Sequence, residues 1–382
     1  MAKALFVFDH IYPVDSKGNV YYSSGFDEDF FDRYYQIFDS FDIWGRKKII
    51  TPSEKNIVVS YPSKFYLAES NKKIWENRSK LRSAIEEVDC VVARMPSIFG
   101  ALAISIAKKI KKPYIVEIVS CEYDALSVSP SFIRRVLAYP TEWFYRAVLK
   151  SNPYSIYVTK EFLQKKYPSR GKQVAISNVT IPEMEERVLH ERLGRLKTFD
   201  EKKKIVIGTC STLSVDFKGQ QYVIRALPLL KEKGYDVAYQ LVGDGDGTWL
   251  IDIAKQLGVE EEVKIIGHLD HTEVFKWLDR IDLYVHPSCQ EGLSRAIIEA
   301  MSRACPVIGA DAGGIHELID EKYIVPKRDS QATACGIEKM LNGDMESQST
   351  RNFKTAKEYL KTTLYKNRGD FYGEFLKDYK LI

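Results

Sequence analysis

The sequence lacks the marks of several protein classes. It contains no apolar run of about 18 residues, the length that a membrane-spanning helix requires, so we expect no spanning segment. Its six cysteines are scattered without C-x-x-C spacing, and several stand among apolar residues. This cysteine usage predicts buried thiols in a reducing cytosol and no disulfide framework.

We also expect no leader segment, and the sequence carries no concentrated charge. Residues 1–3 run directly into a strand-like apolar segment, so we predict no signal peptide. The formal net charge is +4, without any block of five or more like charges, whereas nucleic-acid-binding proteins usually present a concentrated basic face. We therefore expect a cytoplasmic protein that binds no nucleic acid.

What the sequence does contain is a repeated alternation of strand-like and helix-like segments. Its 382 residues, 45% of them hydrophobic, are enough for two domains with full cores. Such alternation predicts α/β domains in which helices cover a parallel sheet. In the first half the predicted strands are 4–8, 56–60, 90–93, 114–119, 154–158 and 173–177, and the predicted helices are 25–39, 71–87, 98–110 and 131–149.

A second, cleaner alternation begins at Lys204 and predicts a doubly wound domain. The polar segment 181–186 lies before it and is the predicted hinge. We predict domains at 1–183 and 184–345, followed by a helical segment at 346–382. Ligands of doubly wound sheets bind past the carboxyl ends of the strands. In the second domain these are the loops that start at Thr209, Gly243, Gly267, Pro287 and Asp311.

One stretch of this second domain, 290–301, places two carboxylates around the start of a helix. Glu291 lies in a loop, and the helix begins near Ser294, a favourable N-cap residue. Glu299 falls inside the helix among apolar residues, where an unpaired charge would cost several kcal/mol, so it requires a partner. That partner is either a core salt bridge or the hydroxyls of a bound ligand. Gly292 permits close approach of a ligand, and the helix start favours an anion such as a diphosphate.

These residues resemble the signature of the retaining glycosyltransferases of family 4. The frame has two glutamates separated by seven residues, with Pro287-Ser288 before them and Pro306-Val307-Ile308 after them. The resemblance extends in family order over roughly 204–320, through Lys218-Gly219, Val242-Gly243-Asp244-Gly245, Gly267-His268 and Gly313-Gly314. It implies the GT-B fold, in which two Rossmann-like doubly wound domains enclose a cleft.

The resemblance also implies roles for individual residues. Glu291 and Lys218 are the catalytic candidates: Glu291 would contact the sugar and Lys218 the departing diphosphate. Glu299 would bind the ribose. Further donor-binding candidates are Gly292, Leu293, Ser294, Arg295, Gly243, His268 and Thr209. The first domain would bind the acceptor, the second the nucleotide sugar, and the segment 346–382 would return to pack on the first domain.

The sequence departs from the family pattern ahead of Lys218. The family usually has an arginine about five residues earlier, but 211–217 contains none. Arg295 and Arg94 are candidates for supplying the missing positive charge near the phosphates. His316, which stands beside Gly313-Gly314, is a further candidate near the predicted sugar site.

A second departure follows the predicted strand 114–119, where the expected histidine of the family is absent. Glu122 and Asp124 are the nearest carboxylates. Either of them could replace the histidine in polarising an acceptor hydroxyl or in stabilising an oxocarbenium-like centre.

No metal or other cofactor is predicted. Residues 243–247 spell D-x-D, a metal-binding signature in a different glycosyltransferase fold, but a single D-x-D in a glycine turn lacks the further oxygen ligands that a divalent cation requires. The nucleotide sugar is a substrate, and the resemblance implies donor binding without a metal.

The predicted function is that of a retaining, metal-independent hexosyltransferase. It would move a sugar from a nucleotide-sugar donor to a hydroxyl of a glycan acceptor, in the synthesis of a cell-surface polysaccharide or a lipid-linked oligosaccharide. Two alternatives stay open. A nucleotide-sugar epimerase can have the same fold, although the two-glutamate frame belongs to the transferase pattern. The missing arginine and histidine suggest a catalytically degenerate binding or scaffold subunit.

The stretch 130–150 bears on the acceptor, because it combines apolar and aromatic residues with four basic residues and one acid. In one interpretation it is a helix that buries its apolar side, with solvated arginines and a kink or break at Pro140. In the other it attaches the protein peripherally to an anionic bilayer, at the inner face of the cell membrane. The second interpretation agrees with a lipid-linked acceptor.

Overall fold

The computed structural model describes residues 2–23, 25–54, 56–70, 74–129, 131–200 and 203–382. Pro130 and the predicted helix start at 71–73 lie outside them. The chain forms two compact units. The first consists of Met1–Tyr123, Leu137–Ile176 and Tyr365–Ile382, and the second of Asp124–Val136 and Ser177–Leu364. This division differs from the predicted bounds: it falls at 176/177 instead of 183/184.

The first unit is built on a parallel sheet of seven strands. They are β1 (Lys3–Val14), β2 (Ser40–Ile49), β3 (Phe65–Ala68), β4 (Cys90–Met95), β5 (Tyr114–Ile118), β6 (Tyr154–Tyr157) and β7 (Lys172–Ala175). Their order in the sheet is β3-β2-β1-β4-β5-β6-β7. The helices before residue 200 are α1 (Glu28–Tyr35), α2 (Ile74–Glu86), α3 (Ile98–Ile110), α4 (Glu122–Ser127), α5 (Phe132–Val136), α6 (Ala138–Leu149), α7 (Phe162–Lys166) and α8 (Glu186–Lys197).

The strand predicted at 56–60 is wrong, and the predicted strands include neither β2 nor β3. Within 56–60, Val58 forms only an isolated antiparallel bridge with Tyr21. The sequence of β2 does not predict a strand, because Asp42 interrupts its apolar run. In the structure Asp42 is buried, and its carboxylate lies 3.0 Å from the ammonium of Lys3. A paired charge is therefore accommodated inside the sheet.

The helix predicted at 131–149 is divided, but not at Pro140. The division lies at Leu137, between α5 and α6, and Pro140 stands in the first turn of α6, where a helix has no intrahelical acceptor for its N–H groups. The interpretation that this helix buries its apolar side is also wrong for α5, because the side chains of Phe132 and Ile133 are 71% and 70% exposed.

The second unit is built on a parallel sheet of six strands. They are β8 (Ile205–Cys210), β9 (Val237–Val242), β10 (Val263–Gly267), β11 (Leu283–His286), β12 (Val307–Ala310) and β13 (Ile324–Val325), in the order β10-β9-β8-β11-β12-β13. The helices after residue 200 are α9 (Gln220–Glu232), α10 (Thr248–Gln256), α11 (His271–Arg280), α12 (Arg295–Ser302), α13 (Ser330–Leu341), α14 (Met345–Ala356) and α15 (Lys361–Asp378).

This strand order is that of a doubly wound Rossmann sheet, with its topological switch point between β8 and β11. The prediction of two doubly wound α/β domains is confirmed. In the described parts of the chain, no helix is both long and apolar enough to cross a membrane.

A buried ionic cluster fastens the last helix, α15, to the sheet of the first unit. Glu117, on β5, is 1% exposed and accepts hydrogen bonds from the hydroxyls of Tyr34 and Tyr372 at 2.8 and 3.0 Å. Arg368, on α15, forms an ion pair with the same carboxylate. Burial opposes ionisation of Glu117, but the charges of Arg368 and Arg94 and the bond from Tyr34 outweigh it, so its pKa lies below the ordinary value.

We expect Glu117→Gln to destabilise the protein by about 3–5 kcal/mol, because it leaves the buried guanidinium of Arg368 without its counter-charge. Urea unfolding followed by circular dichroism measures this. The matched control is Glu86→Gln, which breaks the exposed Arg82–Glu86 pair and should cost about 0.5 kcal/mol or less. Equal losses of stability in the two variants would show that the buried cluster contributes no more than an exposed ion pair.

Candidate functional site

The candidate site lies at the carboxyl ends of β8 and β11, the strands that flank the switch point of the second sheet. The loop after β8 ends in a short 3-10 turn, Asp216–Lys218, that leads into α9. The loop after β11 carries Glu291 and leads to α12, whose N-cap is Ser294. The Ser294 hydroxyl accepts a hydrogen bond from the N–H of Ile297, which explains why the helix begins there.

Glu291 is the centre of a charged cluster between these two loops. Its Oε1 lies 2.7 Å from the ammonium Nζ of Lys218 and 3.0 Å from Nε2 of His286. Burial of Glu291 opposes its ionisation, but His286 and Lys218 outweigh that effect and lower its pKa to about 2. Glu291 is therefore ionised at neutral pH and holds the Lys218 ammonium at the strand ends.

His286, the last residue of β11, is held in place from several sides. Its ring is 2% exposed, and Nε2 also lies 3.2 Å from the Ser294 hydroxyl. Its Nδ1 is 3.4 Å from the hydroxyl of Tyr284, which is itself bound to the backbone of Cys210 on β8. These contacts fix the face that His286 presents to Glu291.

Two glycines allow the strand-end loops to meet backbone against backbone. Gly219 has φ +78°, and a Cβ there would stand 2.1 Å from the carbonyl oxygen of Pro287. Gly313 has φ +54°, and a Cβ there would stand 1.8 Å from the carbonyl oxygen of Glu291. Beside it, the N–H of Gly314 donates to the carbonyl of Gly292 at 2.9 Å. The backbone of the Glu291 loop is thus fixed from both sides, and only glycine fits at these contacts.

Glu299 lies inside α12 and is 5% exposed. Its Oε1 is 3.2 Å from Nε2 of His271, the first residue of α11. The hydrogen bond to Glu299 raises the pKa of His271 above its ordinary value. The partner that burial of Glu299 required is therefore present within the protein. Since the side chain of His271 is half exposed, this pair also borders solvent.

Two predicted donor-binding residues are occupied by contacts inside the second unit. The hydroxyl of Thr209 is buried, donates to the carbonyl of Val285 at 2.6 Å and accepts a hydrogen bond from Tyr239. The N–H of Gly243 donates to the carbonyl of Gly267. Both residues support the strand ends, and donor contact by either one stays a prediction.

The remaining candidates in this unit are more accessible. Leu293 is partly buried, and Arg295 is exposed at the first position of α12. His268 and His316 are exposed and lie 2.8 and 2.7 Å from the carboxylates of Asp244 and Asp311.

Arg94, Glu122 and Asp124 lie on elements outside the second sheet. Arg94 is buried in the first unit, where its guanidinium lies over aromatic rings and its Nε is 4.0 Å from Glu117. Glu122 and Asp124 stand in α4, on either side of the division between the units. Their proposed roles at an acceptor or phosphate stay predictions.

The D-x-D residues have local partners. Asp246 accepts hydrogen bonds from the N–H and the hydroxyl of Thr248 at the start of α10, and the Thr248 bonds lower its pKa. Asp244 pairs with His268. Within the described residues, no three or more His, Cys, Asp or Glu side chains cluster as metal ligands do.

The sequence patterns identify neither His286 nor His271 as a site residue, although both lie beside the predicted carboxylates in the structure. The signal for His286 was its place at the carboxyl end of a strand beside the switch point. His271 opens α11 after the capping box of Asp270 and Glu273, and no sequence pattern joins it to Glu299.

Comparison with known proteins identifies the family of this chain. The family model described as glycosyl transferases group 1 matches residues 204–343. Protein CapJ of Staphylococcus aureus is 34% identical over 358 residues, which cover 90% of this chain and 87% of CapJ. The amylovoran biosynthesis glycosyltransferase AmsK of Erwinia amylovora is 30% identical over 139 residues, 34% of each chain.

Solved structures share the fold over nearly the whole chain. Sucrose-phosphate synthase of Thermosynechococcus elongatus has a TM-score of 0.68 at 14% identity, covering 98% of this chain and 100% of that one. HepE of Anabaena in complex with UDP has a TM-score of 0.66 at 17% identity, with the same coverage. Both likenesses confirm the GT-B fold class. With the family model on its second unit and CapJ aligned along most of its length, this chain belongs to the family of glycosyl transferases group 1.

Proposed function

We propose that this glycosyltransferase moves a sugar from a nucleotide-sugar donor to a hydroxyl of a glycan, with retention at the anomeric carbon and without a metal ion. The observation that carries the proposal is the cluster of Lys218, Glu291 and His286 at the switch point of the second sheet. It combines a partly exposed cation, an ionised carboxylate and a helix start, the groups that a diphosphate sugar requires.

In this proposal Lys218 meets the departing diphosphate. Its side chain is 21% exposed, so a ligand can reach the ammonium while Glu291 holds it from the other side. A cation fixed in advance stabilises the charge that develops on the leaving group without reorganisation. The N-terminus of α12 and the exposed Arg295 add positive potential at the same strand ends.

Glu291 contacts the sugar in the proposed complex, and Glu299 binds the ribose. Both carboxylates come from the loop and helix that follow β11, so their separation is set by the start of α12.

Independence from metal is supported by the local partners of Asp244 and Asp246, which engage the D-x-D side chains.

The relatives support the donor and the pathway class. HepE has been solved in complex with UDP-glucose. AmsK is named for amylovoran biosynthesis, and WcaL of Escherichia coli for colanic acid biosynthesis. We propose a comparable place in cell-surface polysaccharide or lipid-linked oligosaccharide synthesis, at the inner face of the cell membrane, with Glu122 or Asp124 near the acceptor.

We expect Glu291→Gln to lower kcat by about 100-fold or more, because it removes a fixed charge that acts on the reacting sugar. Nucleoside diphosphate affinity should hold or rise, since Lys218 loses its internal partner. Donor turnover and calorimetric binding measure the two effects separately. Glu260→Gln is the matched control, because Glu260 is exposed just before β10. It therefore lies at the amino-terminal end of a strand, whereas the site lies at the carboxyl ends. Unchanged turnover in a folded Glu291→Gln protein would contradict the assigned role.

Glu299→Ala should weaken nucleoside diphosphate binding by about 1–3 kcal/mol, the size of a lost hydrogen bond to a charged group. Calorimetry is run in buffer with EDTA, with Glu260→Ala as the control. Unchanged affinity would restrict Glu299 to its pair with His271.

A binding signal of the wild type that appears only after magnesium or manganese is added would contradict the metal-independent part of the proposal.

A further inference from the structure

We propose that the first unit carries a site for the phosphate of an anionic lipid headgroup, formed by α6 and the loop before β7. A surface cavity of about 440 Å³ lies there, within this unit alone. Its walls include an indole, three cationic side chains and a hydroxyl residue. These are Trp143, Arg146, Lys150, Arg170 and Ser169. The site is separate from the sugar-transfer cluster and does not rest on the proposed function.

The helical part of the site forms one continuous face. Trp143, Arg146 and Lys150 are spaced by three and four residues, so they lie on the same side of α6, with Tyr139 one turn before them. A different side of α6 packs into the unit through Tyr145 and Leu149. A solvent-facing helix side is usually polar, but here Tyr139 and Trp143 are 69% and 74% exposed.

The three cations have no carboxylate partners among the described residues. Other basic residues of the same unit do: Lys166 pairs with Glu142, and Lys172 with Glu374 and Asp378. The C-terminal end of a helix attracts basic residues, which accounts for Arg146 and Lys150 in part. It does not account for Arg170, which comes from another segment, or for the exposed aromatic rings. Uncompensated positive charge around a cavity is complementary to a phosphate.

The cavity is held open by backbone contacts. The N–H of Arg170 donates to the carbonyl of Lys150 at 3.0 Å, and the hydroxyl of Ser169 donates to the carbonyl of Asn152 at 3.1 Å. The side-chain amide of Gln173 donates to the carbonyl of Ser169 at 2.6 Å. The loop is thus fixed to the end of α6, and its cations need little reordering to receive an anion.

The aromatic residues select a bilayer over a free phosphate. Indole and phenol side chains favour the interface between headgroups and acyl chains, where an apolar ring and a polar edge are both satisfied. Tyr139 and Trp143 extend the cationic end of the same helix face. A dissolved phosphate would contact the cations and leave both rings in water, whereas a bilayer surface meets the whole face.

Vesicle co-sedimentation tests the proposal. We expect the protein to bind phosphatidylcholine vesicles that contain about one-third phosphatidylglycerol, and to bind pure phosphatidylcholine far less. Each cation near an anionic surface contributes about fivefold in partitioning, so Arg146→Glu, Lys150→Glu and Arg170→Glu together should reduce binding by about 100-fold or more. The control reverses three exposed lysines of the same unit, Lys17, Lys48 and Lys111, for the same change in net charge. Equal loss in both triple variants would overturn the site.

Two further arms identify the source of the phosphate. Brominated lipids should quench tryptophan fluorescence in the wild type, and Trp143→Phe should lose most of that quenching while it still sediments with the vesicles. Soluble glycerol phosphate should compete only at high concentration. If it saturates the cavity while vesicle binding is unaffected, the cavity binds a free phosphate and the lipid proposal is wrong. Nucleoside diphosphate affinity should be the same in all these variants, which separates this site from the donor site.

Discussion

The negative charge of Glu291 is the constraint around which the strand-end loops of the second unit are arranged. A carboxylate with so little access to water requires a cation or hydrogen-bonding groups beside it, and these come from both sides of the switch point. Lys218 reaches it from the loop after β8, and His286 from the end of β11. The loops must therefore lie close together, which the glycines at 219 and 313 make possible.

A buried carboxylate with charged and hydrogen-bonding partners also occurs in the first unit, where its role is structural. Glu117 and Arg368 are only 1% and 2% exposed, and two tyrosine hydroxyls complete the shell of the carboxylate. That cluster is closed and fastens a helix to a sheet. The Glu291 cluster has a cation with 21% exposure and an adjacent helix start, so it can receive a further anion. Access to solvent, more than the identity of the charges, separates a structural ion pair from a candidate binding site.

Much of this arrangement follows from sequence, for physical reasons. Parallel α/β alternation fixes where ligands bind, so Lys218, Glu291 and Glu299 could be assigned to one edge of a sheet before any coordinates. The partners of these residues could not be assigned in the same way. His271 and Glu299 meet because α11 and α12 pack together, and contacts between distant segments leave no local pattern.

Local patterns also failed where tertiary contacts override them. β2 carries Asp42 inside the sheet because Lys3 neutralises it, so the apolar run that signals a strand is absent. The Thr209 side chain is buried because its hydroxyl donates to the carbonyl of Val285 and accepts a hydrogen bond from Tyr239. The sequence does not show either contact. α6 exposes aromatic residues that an apolar pattern would place in a core. In each case the sequence supplied the residue, and its neighbours in space determined the environment.

The assignment of Lys218 as the cation that meets the donor diphosphate is tested most directly by calorimetry on Lys218→Met. The variant keeps most of the length of the unbranched side chain and removes the ammonium, with its charge and its N–H donors. Its affinities for a nucleoside and for the corresponding nucleoside diphosphate are compared with those of the wild type. The diphosphate should bind about 10- to 150-fold more weakly, the effect of one hydrogen bond to a charged group, while the nucleoside binds as before. Equal diphosphate affinity in the two proteins, or an equal loss for nucleoside and diphosphate, would contradict the assignment.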